Sequence, residues 1–123
     1  MNISSEAEAI ISKAKNRETL EFIIRKTIKA KNIRNMQSFA YTAEISPGEI
    51  SKLLSGKRKN PGRETMEKLS RITGYSRDDL EYVINPEKRM RTELRILGLD
   101  YKKIDQIIEK NGFGSIYNRI SDS

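Results

Sequence analysis

The chain of 123 residues has no cysteine, no histidine and no tryptophan. Without cysteine there is no disulfide framework and no thiolate metal site, a pattern that suits a reducing compartment. Without histidine the commonest general base and the commonest metal ligand are both missing. No glycine-rich loop of the phosphate-cradling kind occurs, and Ser, Lys and the carboxylates fall at no spacing that pairs a nucleophile with a base. An enzyme has no constellation to build on here, so no catalytic residue, no metal and no cofactor is expected. Apolar residues nowhere run long enough to span a bilayer, and the opening MNISSEAEAI lacks the cationic and apolar regions of a secretion signal. The expectation is a soluble, cytoplasmic protein with no membrane partner.

What is present is charge, in excess of one sign. There are 24 Lys and Arg against 17 Asp and Glu, a net of +7. The summed field attracts polyanions, and nucleic acid is the first to consider. The excess is uneven: residues 17–84 carry 14 basic and 9 acidic side chains, residues 85–123 carry 8 and 6, and residues 1–16 are balanced. At 36% hydrophobic residues, a chain about one domain long can bury one modest core. Some of its apolar surface is left for a partner chain to cover.

Apolar residues recur at helical spacing along the chain. Ala7, Ile10, Ile11 and Ala14 share one face of a helix from Ser4 to Lys15. A second helix is predicted from Glu18 to Lys31, with Leu20, Ile23, Ile24, Thr27 and Ile28 inward and Asn32 as its stop. Asn35 caps a short helix from Met36 to Ala43. Ser46-Pro47-Gly48-Glu49 is the strongest start signal, with a cap, a proline at the first helical position and a Glu that reaches back to the cap. That helix runs to Leu54 and ends at Gly56. Beyond the basic loop 56–62, Glu64 to Thr73 reads as a helix closed by Gly74, and Ser76 opens another through Leu80, Val83 and Ile84.

Asn85-Pro86 marks a boundary. Helices are expected from Pro86 to Leu97, from Asp100 to Lys110, and over Ile116, Tyr117 and Ile120. Tyr101, Phe113 and Tyr117 read as core or interface residues. The expected class is all-α, divided into an N-terminal helical extension over 1–16, a domain over 17–84 and a C-terminal helical segment over 85–123.

Two short helices, 36–43 and 46–54, separated only by a brief turn, form a candidate helix-turn-helix. Ala40, at the centre of the first, is small enough to let the second cross it closely, while Phe39, Ile45 and Ile50 fill the angle. Lys57, Arg58 and Lys59 follow on a loop framed by Gly and Pro, a setting that suits phosphate contact or a solvated charge run.

From Leu20 to Ile84 the chain resembles the lambda-repressor-like, or Xre/Cro, family of DNA-binding domains. The resemblance rests on Phe39-Ala40, on Ile45-Ser46 at the turn, on Ile50, on Gly56-Lys57, on Pro61 before the next helix and on Asp79-Leu80. It implies a five-helix domain whose helix from Ser46 enters the major groove of double-stranded DNA. Gly48, Glu49, Ser51 and Lys52 are then the candidate base contacts, with Lys52 the donor to guanine O6 and N7. Glu49 has two readings, acceptor from cytosine N4 or completion of the capping box, and the cap is favoured. Arg34, Gln37, Ser38, Lys57, Arg58, Lys59 and Arg63 are the candidate phosphate contacts.

Two departures stand out. Glu44 occupies a turn position where the family has glycine, a site that calls for positive φ at a cost on the order of 1 kcal/mol for other residues. Met36 stands where relatives have a Gln that braces a phosphate or a base. The resemblance implies a transcriptional regulator, a repressor of phage or mobile-element type, working as a homodimer. The alternative is an antitoxin or protein-interaction module that binds a partner through residues 86–123.

Overall fold

The computed structural model describes residues 4–111, and over them the chain is all-helical: eight α-helices and no strand. The helix expected over Ile116, Tyr117 and Ile120, and the roles expected of Phe113 and Tyr117, lie outside the described residues. The helices are α1 (Ser5–Lys15), α2 (Leu20–Ala30), α3 (Met36–Ala43), α4 (Pro47–Ser55), α5 (Arg63–Thr73), α6 (Arg77–Ile84), α7 (Pro86–Ile96) and α8 (Tyr101–Lys110). They form two compact units, a middle one over Asn16–Asn85 and a terminal one that combines residues before 16 with residues from Pro86 on.

Side-chain caps set most of the starts. Thr19, Asn35, Ser46, Ser76 and Asp100 each accept a hydrogen bond from the backbone N–H three residues on, satisfying a donor that the first turn leaves free. Thr19 fixes the start of α2 later than the expected Glu18, because the cap and not the periodicity decides where the first turn closes. α2 stops because Asn32 adopts a left-handed φ of 54°, and the Ile33 N–H then bonds back to the Ile28 carbonyl. Gly56 and Gly74 end α4 and α5 in the same left-handed region, which glycine enters without a Cβ clash.

In the middle unit, α2, α3, α4, α5 and α6 enclose one core. Ile24 and Leu20 from α2, Phe39 and Ala40 from α3, Ile50 and Leu53 from α4, Met66 and Leu69 from α5 and Leu80 from α6 are all buried in it. Thr27, polar and buried, is satisfied within its own helix, its hydroxyl donating to the Ile23 carbonyl at 2.8 Å.

The terminal segments, expected as a separate extension and tail, pack on one another: α1 lies against α7, and α7 against α8. Ala7, Ile11 and Ala14 of α1, Met90 and Leu94 of α7, and Ile104, Ile107 and Ile108 of α8 are buried. Alanines at Ala7 and Ala14 give α1 a flat inner face, so it carries little of the apolar bulk. Lys15 reaches Asn111 with a hydrogen bond of 3.1 Å, tying the end of α1 to the end of α8.

Candidate nucleic-acid interface

The corner between α3 and α4 is built from a two-bond turn. The Ile45 N–H bonds to the Ala40 carbonyl at 3.0 Å and the Glu44 N–H to the Tyr41 carbonyl at 3.1 Å, the paired arrangement that closes a helix through a left-handed residue. Glu44 is that residue, with φ of 61° and ψ of 35°. Glycine would avoid the Cβ clash there, and the strain is held in place from two directions. Ile45 is buried beside Ala40, and the Lys68 ammonium donates to the Glu44 carbonyl at 2.8 Å while pairing with Glu64. A cation at a helix C-terminus meets carbonyls with no partner in the helix and the negative end of the macrodipole.

Ala40 is 1% exposed at the contact of α3 with α4. A larger side chain there would separate the helices. The inner face of α4, Ile50 and Leu53, is buried, and the opposite face, Gly48, Ser51, Lys52 and Ser55, is exposed. Two open concavities flank the crossing. One is lined by Gln37, Tyr41, Thr42, Ser46 and Pro47, the other by Met36, Gln37, Pro47, Ser51, Leu54 and Ser55.

The candidate base contacts therefore split. Gly48, Ser51 and Lys52 share the open face of α4, and a Cβ added at Gly48 would meet nothing within 4 Å. Glu49 departs from the capping-box reading. Its backbone N–H gives the expected bond to the Ser46 hydroxyl at 3.1 Å, but its carboxylate, instead of returning to the Ser46 N–H, lies 3.2 Å from the Arg58 guanidinium. The two residues meet because the loop after Gly56 folds back, the Arg58 N–H bonding to the Lys52 carbonyl at 3.0 Å. A guanidinium offers more donors than an exposed cap N–H, so the carboxylate turns to it.

The candidate phosphate contacts split as well. Arg34, Lys52 and Lys57 are exposed, and among the described residues none of them makes an ion pair. Arg58 is held by Glu49, and Arg63 is paired with Glu67 along α5 at 3.2 Å. Lys59 is half-buried with interactions of its own. Gln37 is exposed and borders both concavities, while the Ser38 N–H is occupied by the Asn35 cap at 2.8 Å.

Tyr41 was not singled out by its sequence context, yet it is 88% exposed and lines the same concavity as Gln37 and Pro47. The signal was there: it follows Gln37 by four residues, hence on the same face of α3. A second aromatic group sits elsewhere on the middle unit, where Lys26 lies over the rings of Phe22 at 5.5 Å and Tyr75 at 4.9 Å and hydrogen-bonds the Tyr75 hydroxyl and Glu18. Those hydrogen bonds, Tyr75 first, hold the Lys26 ammonium above its ordinary value of 10.5. No helix among the described residues is long and apolar enough to cross a membrane. No protein-family model matches the chain, and comparison with curated proteins and with solved structures finds no match.

Proposed function

We propose that the chain is a sequence-specific double-stranded DNA-binding transcriptional regulator, a repressor of the lambda-repressor-like helix-turn-helix kind. On this reading α2 to α6 are the five helices of the DNA-binding domain, α4 enters the major groove, and the protein acts by occupancy and not by catalysis. One observation carries the reading: α4 is anchored through Ile50 and Leu53 while its opposite face is exposed and carries Lys52, with Lys57 just beyond the helix end, neither cation in an ion pair among the described residues. A rod gripped from behind, with exposed donors in front, suits insertion between two phosphate rails. The net +7 of the chain supplies long-range attraction to that partner.

A single corner reads a short site, so the working form on this reading is a homodimer on two half-sites a helical turn apart. Quantitative binding to duplex DNA at several salt concentrations tests the proposal. A dimer that neutralises roughly eight phosphates gives a slope of log affinity against log salt near about −7, and a flat response rejects it.

A second reading has its own observation. Ile96 at 77%, Leu97 and Tyr101 are exposed where α7 ends and α8 begins, an apolar cluster suited to a protein partner of an antitoxin or interaction module. Co-purification with a second small protein, together with no salt-dependent duplex binding, selects that reading.

A further inference from the structure

The open face between α3 and α4 is poor in the groups that read bases by paired hydrogen bonds. Pro47 has no amide hydrogen, Gly48 has no side chain, and the face offers no Arg and no Asn. In their place the cleft nearer the N-terminus of α3 is walled by Met36, Pro47 and Leu54, over a floor that includes the buried Ile50. Met36 and Leu54 are half-buried and Pro47 is exposed, so apolar surface remains uncovered inside a rim that is polar at Gln37 and Ser51. Lys52 follows Ser51 on the exposed face of α4 and makes no ion pair among the described residues.

An apolar recess beside unpaired cations calls for a ligand that is anionic outside and locally apolar within. Duplex DNA meets both requirements at one place, the 5-methyl group of thymine, which projects into the major groove between the phosphate backbones. A single strand is served less well, because it asks for successive aromatic platforms and this face offers Tyr41 alone.

Building on the proposed DNA-binding function, we propose that thymine methyl groups received in the cleft of Met36, Pro47 and Leu54 carry part of the sequence preference, beside the hydrogen bonds offered by Lys52 and Gln37. The preferred sites are then rich in thymine at the positions under α4. The open space at Gly48 lets the base edge approach the helix start without a side chain in the way.

The test uses the full chain and a duplex that it selects from a random-sequence pool. Each thymine is replaced in turn by deoxyuridine, which keeps the pairing and removes only the methyl group. The expected result is a loss of about fourfold at each of two or three adjacent positions, the worth of one buried methylene. The slope of affinity against salt stays unchanged, because no phosphate contact is lost. Met36→Gln, checked for folding by circular dichroism, should bind thymine and deoxyuridine duplexes alike at one of those positions. If that variant does not fold, the deoxyuridine series on the unaltered protein decides. Steep salt dependence with every deoxyuridine duplex bound as tightly as its parent would overturn this inference and leave the DNA-binding reading standing. Failure to bind any duplex in a salt-dependent way overturns both, and tighter binding to single strands than to duplex also counts against it.

Discussion

The two units commit their arginines differently. In the terminal unit Arg89 pairs with Glu93, Arg91 bridges Glu87 and Asp105 and so joins α7 to α8, and Arg95 lies 4.4 Å from the centre of the Tyr101 ring. In the middle unit Arg25 and Arg63 are likewise paired along their own helices, but Arg34, Arg71 and Arg77 make no ion pair among the described residues, and neither do Lys52 and Lys57. Such surface pairs contribute only about 0–1 kcal/mol each to stability. Their larger effect is on availability, since a paired guanidinium must give up a carboxylate before it takes a phosphate. Cations without an ion pair among the described residues also occur away from α3 and α4, at Lys29, Lys31, Arg71 and Arg77 in the middle unit and at Lys102, Lys103 and Lys110 in the terminal one. Lys52 and Lys57 are therefore singled out by their place on and just after α4 and not by pairing alone.

The contrast can be broken most severely from inside. Phe39 is fully buried beneath the α3–α4 corner, and Phe39→Ala should cost about 3–5 kcal/mol in urea unfolding. Loss of the proposed duplex binding should accompany it. Leu94 belongs to the terminal unit, so equal losses of DNA affinity from Phe39→Ala and Leu94→Ala, both still folded, would deny that the middle unit carries the contact.

Next in size is the comparison between unpaired and paired cations. Lys52→Ala should lower discrimination between the selected site and random duplex by about 1–3 kcal/mol, and Lys57→Ala should weaken both equally and make the salt slope shallower by about one. Arg58→Ala should do less than Lys57→Ala, because Glu49 already engages that guanidinium. A larger effect for Arg58 would show that Glu49 releases it on binding.

A smaller effect is expected at the turn. Glu44→Gly removes the left-handed strain and should raise stability by up to about 1 kcal/mol. Thermal unfolding reads this as a higher midpoint, and a lower one would mean that the fit around Ile45 and Lys68 outweighs the Cβ clash. The smallest effect belongs to Lys26, whose folded pKa is raised by Tyr75 and Glu18. A raised pKa means that the folded state holds this proton more tightly, so the contribution is fully present below the ordinary value of 10.5 and fades as pH climbs through the folded value. The alkaline fall in the melting midpoint should be less steep in Lys26→Met.

Local signals were legible wherever the physics is local. Asn35, Ser46-Pro47 and Gly56 mark their helix ends to within a residue, because a cap or a left-handed stop acts over three or four positions. Glu44 was legible too, as a residue whose type disagrees with its place in the turn. What pins it was not, since Lys68 lies on another helix and reaches the carbonyl only once α3 and α5 have packed. The Glu49–Arg58 pair escaped for a similar reason: nine residues apart is no helical neighbour, and only the folded-back loop brings them together. The pairing of α1 with α7 is more remote still, as amphipathic spacing tells that a face is buried without telling against what.

That last arrangement bears on how the molecule comes into being. During synthesis α1 leaves the ribosome ahead of the middle unit, yet its packing partner α7 emerges only after all of residues 16–85. The middle unit is continuous in sequence and can assemble while the rest is still being made, and the terminal unit closes afterwards. A nascent chain whose residues up to Asn85 have cleared the ribosome would thus already hold the α3–α4 corner, with α1 still waiting for its mate.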